Sequence, residues 1–135
     1  MKKNEIVMVY PYQGFSGTYV KHAPLALLYS TSEVVKAGYD VKIYDTRATS
    51  SDWRSGLRKL ITDQTLCVAV SVMSGSPIKH AVSIGRLIKS LNPDVPVVWG
   101  GPHATFYPET ILRDEWSAVY VISGYASKSL KDLVD

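Results

Sequence analysis

Five short runs of nearly unbroken apolar residues, 6–10, 41–44, 66–72, 95–99 and 118–122, alternate along this chain with segments of helical period. Continuous rather than alternating hydrophobicity marks strands buried on both faces, as in a parallel sheet between two layers of helices. Right-handed crossovers leave few ways to thread such a chain. The expected fold class is therefore α/β, a doubly wound five-stranded parallel sheet of order 2-1-3-4-5 with helices on both faces. The 135 residues, 46% of them hydrophobic and 20% charged, suit a single domain with one set of cores, and no shift of composition marks an internal boundary.

The helices have readable ends. The first is expected over 24–37, with Pro24 in its first turn and Gly38 as its C′ stop. The second starts at Ser51 or Asp52 as N-cap and places Trp53, Leu57, Leu60 and Ile61 on one face. In the third, Ser76 caps, Pro77 takes the first helical position, and Ile78, Ala81, Val82, Gly85, Ile88 and Leu91 form the apolar stripe. Its other face carries Lys79, His80, Ser83, Arg86 and Lys89, so His80 reads as a solvated side chain. A short fourth helix starts at Pro108. A fifth starts near Ser127 and still runs through Leu130, Leu133 and Val134 where the chain stops, which suggests a piece of a longer protein.

Several function classes are disfavoured. A net charge of +3, spread over helix faces, gives no footprint for nucleic acid. No apolar run approaches the roughly 20 residues that span a bilayer, and the start at Met1-Lys2-Lys3 leads into a strand, not a signal peptide. One cysteine, Cys67, permits no internal disulfide and fits a reducing compartment, with the cytoplasm as default. Lying within a strand, it reads as a small core residue.

Ligands of doubly wound sheets bind outside the carboxyl ends of the strands. Those ends supply the candidate site. After strand one stand Tyr12, Gln13 and Gly14, in a loop of about thirteen residues where roughly two to six are usual. After strand three come Ser71, Val72, Met73 and Ser74; after strand four, Gly100, Gly101, Pro102 and His103; after strand five, Gly124 and Tyr125. The double glycine carries no Cβ and lets the backbone lie against a large ligand. These loops are rich in Gly and Ser and nearly free of charge, which suits recognition by backbone groups and hydroxyls. A phospho-acceptor site would need acidic residues where Tyr12, Gln13 and Ser71 stand. Neither G-x-G-x-x-G nor G-x-x-x-x-G-K-[ST] is present. His22, His80 and His103 lack ligand spacing to one another or to Cys67, so no protein-built metal site is expected. One rival motif remains: Gly14-Phe15-Ser16-Gly17-Thr18 resembles a flavodoxin-like phosphate loop.

Four pieces in order resemble the N-terminal cobalamin (B12)-binding domain of B12-dependent radical SAM proteins, a family of methyltransferases that also includes the anaerobic Mg-protoporphyrin IX monomethyl ester oxidative cyclase. They are Pro24-Leu25-Ala26-Leu27-Leu28-Tyr29, Ala37-Gly38-Tyr39-Asp40-Val41, Val70-Ser71-Val72-Met73-Ser74-Gly75, and the stretch from Asn92 through Val97-Val98-Trp99-Gly100-Gly101-Pro102-His103-Ala104-Thr105 to Pro108-Glu109. The resemblance implies a B12-binding strand order and a role in cofactor carriage, with the strand-end loops holding cobalamin. It also implies a covalently linked radical SAM domain downstream that brings the 4Fe–4S cluster, S-adenosylmethionine and the substrate. The C-x-x-x-C-x-x-C motif of such a barrel is absent here, so no catalytic residue is expected in this segment by itself. The D-x-H-x-x-G motif, whose histidine replaces the cofactor's lower ligand in other B12 domains, is absent too, which implies base-off cobalamin without a protein histidine on cobalt. The chain departs from the family at Gly124-Tyr125-Ala126-Ser127, where G-E-G-E is frequent. Two readings stay open beside cofactor carriage: a flavodoxin-like FMN or electron-transfer domain, and a degenerate B12-like fold that serves as an interaction domain.

Overall fold

The computed structural model describes residues 2–12, 23–48 and 52–135. Five strands, β1 (Glu5–Tyr10), β2 (Asp40–Asp45), β3 (Thr65–Ser71), β4 (Val97–Gly100) and β5 (Ala118–Val121), form one sheet of order β2-β1-β3-β4-β5. Every neighbouring pair is parallel, with Val9 aligned to Tyr44 on one side and to Val70 on the other. The expected architecture and order are those observed.

Alternation along each strand divides the core in two. Val7, Val9, Val68, Val70, Val97 and Trp99 face one layer, where α3 (Trp53–Leu60), α4 (Ser76–Leu91) and α6 (Pro108–Asp114) bury Leu57, Ile84, Ile88 and Ile111. Ile6, Met8, Cys67, Ala69, Val98 and Ile122 face the other, where α1 (Leu25–Ser30), α2 (Ser32–Lys36) and α7 (Ala126–Val134) contribute Leu27, Val34, Leu130 and Val134. The Tyr39 hydroxyl donates to Val134 O at 3.1 Å and to Asp135 Oδ1 at 2.9 Å, tying the end of α7 to the turn before β2.

Local chemistry explains where the helices differ from expectation. The helix expected over 24–37 is interrupted at Thr31. Ser30 Oγ donates back to Ala26 O (2.7 Å) and Thr31 Oγ1 to Leu28 O (2.9 Å), and such back-bonding loosens a helix. Its stop holds, with Gly38 at φ +90°. Asp52 caps α3 by accepting from Ser55 N at 3.2 Å; Ser51, the other cap candidate, lies outside the described residues. Ser76 does not cap α4 but is its first residue. Gly75 occupies the cap position at φ +96°, a conformation only glycine takes freely, and no side chain caps the helix. The segment after β4, expected as a loop, contains a further helix, α5 (Pro102–Phe106), entered through Gly101 and Pro102.

Gly85 in α4 makes a test of packing against propensity. Alanine is the better helix former by about 1 kcal/mol, but a Cβ here would stand 2.2 Å from Ser117 Oγ. Ser117 is fully buried, and its N–H and hydroxyl both donate to Glu115 Oε1, at 3.1 and 2.8 Å. Gly85→Ala is therefore expected to destabilise the fold, by about 1–3 kcal/mol in urea unfolding; equal or greater stability would show that this corner yields without loss.

Candidate functional site

A cleft of about 740 Å³ opens on the α1/α7 side of the sheet, at the carboxyl ends of β3 and β4. It forms because small residues meet there. Ala69 and Gly100 lie on the strands, Ala26 on α1 and Ala126 on α7, so neither helix closes onto the sheet. Met8, Leu27, Val98, Ile122 and Leu130 complete an apolar interior, and Ser30, Ser32, Ser71, Thr105 and Ser127 bring hydroxyls. Among the described residues no carboxylate, ammonium, guanidinium, imidazole or side-chain amide lines it. An uncharged ligand, or the uncharged part of a larger one, fits such a surface.

The double glycine divides into two roles. A Cβ on Gly100 would meet no atom of the described residues within 4 Å, so the space above it can serve as a cradle for a ligand. Gly101 sits at φ +91°, and a Cβ there would press on Val72 N at 2.9 Å and Val72 O at 3.1 Å. Those backbone atoms are held in turn, since Val72 N donates to Gly100 O (2.8 Å) and Val72 O accepts from His103 N (3.0 Å). Thr105 braces the other wall: its Oγ1 donates to Gly101 O at 3.0 Å and accepts from Gly124 N at 2.9 Å.

Of the residues expected at the site, Ser71, Gly100, Gly101, Pro102, Gly124 and Tyr125 line this cleft. Val72 is buried beside it and acts through its backbone. Met73, Ser74, His103 and Tyr12 occupy the same sheet edge but do not line the cleft. Met73 Sδ receives the Tyr10 hydroxyl at 3.8 Å, and Ser74 Oγ lies 3.0 Å from His103 Nδ1. Tyr12 N donates to His80 Nδ1 at 2.7 Å. Gln13 and Gly14, with the whole Gly14–Thr18 motif and His22, lie outside the described residues. The sequence reading missed Tyr29, Ser30, Ser32 and Phe106, which belong to the helical walls; only the tertiary path of α1, α2 and α5 brings them to the strand ends. It also passed over the end of β2, where Asp45 and Arg47 pair at 2.7 Å and the guanidinium lies 4.1 Å from the Tyr10 ring.

His80 corrects the expectation of a solvated side chain. It is half-buried, with its ring 4.6 Å edge-on from Trp53. Because Nδ1 accepts a backbone N–H, the proton sits on Nε2 and the ring is neutral. Burial, with the Arg54 cation nearby, holds its pKa below the ordinary imidazole value, and burial does the same for His103. A depressed pKa means that the unfolded chain takes up protons first. The stability these rings contribute is full above about pH 6.5 and is lost as pH falls through the lowered folded values. The denaturation midpoint is expected to fall from pH 7 to pH 5, and less so in His80→Gln, whose amide oxygen can still accept from Tyr12 N. An unchanged pH slope in that variant would count against this assignment.

Cys67 is buried in β3, and burial pushes its thiol pKa up to about 12, so it stays protonated and is no nucleophile. Among the described residues no three His, Cys, Asp or Glu side chains gather as a metal site, and no helix is long and apolar enough to cross a membrane.

Comparison with known proteins gives three findings. The family model of the B12 binding domain matches residues 18–134. An uncharacterized methyltransferase of Pyrococcus horikoshii is 35% identical over 115 residues, covering 83% of this chain and 24% of that protein. The solved structure of TsrM from Kitasatospora setae, a radical S-adenosylmethionine methyltransferase with cobalamin and a 4Fe–4S cluster bound, superposes with a TM-score of 0.80 at 22% identity, covering 99% of this chain and 26% of that one. The chain thus spans about a quarter of the length of these relatives.

Proposed function

Because the chain belongs to the B12-binding domain family, we propose that it binds cobalamin at the carboxyl edge of its sheet and carries it for a radical SAM domain of a longer protein. The observation that bears most weight is the uncharged cleft with the Cβ-free cradle at Gly100. The cofactor's nucleotide tail, an apolar base on a sugar phosphate, would enter the cleft, and the corrin with its rim of amides would lie over the loops at the strand ends. Ser71, Ser127 and the backbone at Gly101 and Gly124 would hold the ligand, with Pro102 and Tyr125 shaping the mouth. Met73, Ser74, His103 and Tyr12 belong to the loops that would face the corrin.

Bound cobalamin supplies the reactive cobalt; the residues of this chain position it and set its surroundings. A tail held in the cleft would keep its base away from the metal. His80 cannot replace it, since its one free lone pair, on Nδ1, already accepts from Tyr12 N. His103 is held at Ser74, outside the cleft lining. Among the described residues, then, no histidine would reach the lower face of cobalt. Methyl transfer is favoured over oxidative cyclisation because both relatives named above are methyltransferases. Work in the cytoplasm would suit the free thiol of Cys67.

Titration of the chain with cobalamin and, separately, with FMN tests the reading. Corrin bands should report saturable binding, flavin bands none. Electron paramagnetic resonance of the Co(II) form should show no superhyperfine splitting from an axial nitrogen. Flavin binding in place of cobalamin, no binding of either, or a nitrogen splitting lost in His22→Ala or His103→Ala would each overturn it.

A further inference from the structure

We infer that the cleft discriminates among cobamides by their lower base, accepting a flat base with hydrocarbon edges, such as dimethylbenzimidazole or a phenol, and disfavouring a purine. The inference rests on the reading that the nucleotide tail enters the cleft, and it draws on three features of the walls. The interior is formed by Met8, Leu27, Ala69, Val98, Ile122 and Leu130, all buried and none bearing a hydrogen-bonding nitrogen or oxygen on its side chain. The hydroxyls are partly committed elsewhere: Ser30 Oγ donates to Ala26 O, and Thr105 Oγ1 donates to Gly101 O while it accepts from Gly124 N. Three aromatic rings at the mouth, Tyr29 and Phe106 at 75% exposure and Tyr125 at 98%, are mostly exposed although they border an apolar opening. Rings so placed can cover a planar ligand edge-on or by offset stacking.

Adenine differs from dimethylbenzimidazole by an exocyclic amine and additional ring nitrogens. All of these are hydrogen-bonded in water, and among the described residues the interior offers them no amide, carboxylate or imidazole. Leaving such groups buried and unpaired weakens binding, on the order of tenfold or more for each group left without a partner. A cresol places only C–H groups against the same walls, and dimethylbenzimidazole adds a single ring nitrogen to its hydrocarbon edge, so each gains more from burial than it leaves unpaired. Adenine is also the weaker donor to cobalt and leaves it more readily. That difference favours adeninylcobamide in base-off binding, so weaker binding of that form points to the cleft itself.

The test is equilibrium binding of four corrinoids to the unaltered chain, followed by the corrin absorbance: cobalamin, cresolylcobamide, adeninylcobamide and tail-less cobinamide. Cresolylcobamide is expected to bind at least as tightly as cobalamin, and adeninylcobamide and cobinamide weaker than cobalamin by about tenfold or more. Adeninylcobamide within about threefold of cobalamin would overturn the selectivity and leave the proposed function standing. Cobinamide as tight as cobalamin would overturn the placement of the tail, and the selectivity with it. No binding by any of the four would overturn the proposed function itself.

Discussion

Gly101→Val is expected to lower the melting temperature by roughly 10–20 °C, following a loss on the order of 3–5 kcal/mol. Two penalties combine. The residue sits at φ +91°, where a β-branched side chain is strained, and its Cβ would enter the space of Val72 N and O. Neither neighbour can retreat easily, because the same two atoms bond Gly100 O and His103 N and so join β3 to β4 and α5. Folded domains retain only about 5–15 kcal/mol in all, so a loss of this size threatens the fold. Circular dichroism melts of the variant check it. A melting temperature equal to the parent's would mean that the β4–α5 turn has room to re-form around the side chain.

The strands and their order were legible because near-continuous apolar runs such as Ile6-Val7-Met8-Val9 have one physical explanation, burial on both sheet faces, and parallel crossovers have one hand. The family resemblance was carried by residues at strand ends, and the B12-binding match extends over those same segments. What the sequence hid is tertiary or very local. Gly100 and Gly101 look alike in sequence, yet only the path of the Val72 backbone makes one a cradle and the other a hinge of the fold. The break at Thr31 arises from hydroxyls bonding back to Ala26 and Leu28, and hydroxyls at those positions are equally compatible with an unbroken helix. His80 falls on the polar side of the α4 stripe, so periodicity assigns it to water; the incoming Tyr12 backbone and Trp53 ring, distant in sequence, enclose it. The cleft lies on the α1/α7 face, because α1 and α2 are short and Ala26 and Ala126 are small where they approach the sheet. Nothing in the strand ends alone distinguishes that face from the other.

Gly100→Val is expected to give the opposite result from its neighbour: a fold as stable as the parent's and a cobalamin affinity lower by on the order of 100-fold. Gly100 ends β4, aligned with Ser71 of β3, and does not have the positive φ of Gly101. Valine is a better strand former than glycine and restricts the unfolded chain, so stability should hold or rise slightly. Its methyl groups would stand where no atom of the described residues lies within 4 Å of the Cβ position, on the wall of the cleft. A ligand in that space would have to shift by the depth of an isopropyl group and give up contacts with Ala69 and Val98 beneath. Gly100→Ala, which intrudes by a single methyl, should fall between the parent and the valine variant. Melting curves paired with corrin-absorbance titrations separate the two quantities. Parent-like affinity in Gly100→Val would mean that cobalamin does not use this cleft wall, and a collapse of stability would mean that the glycine serves the strand and not the ligand.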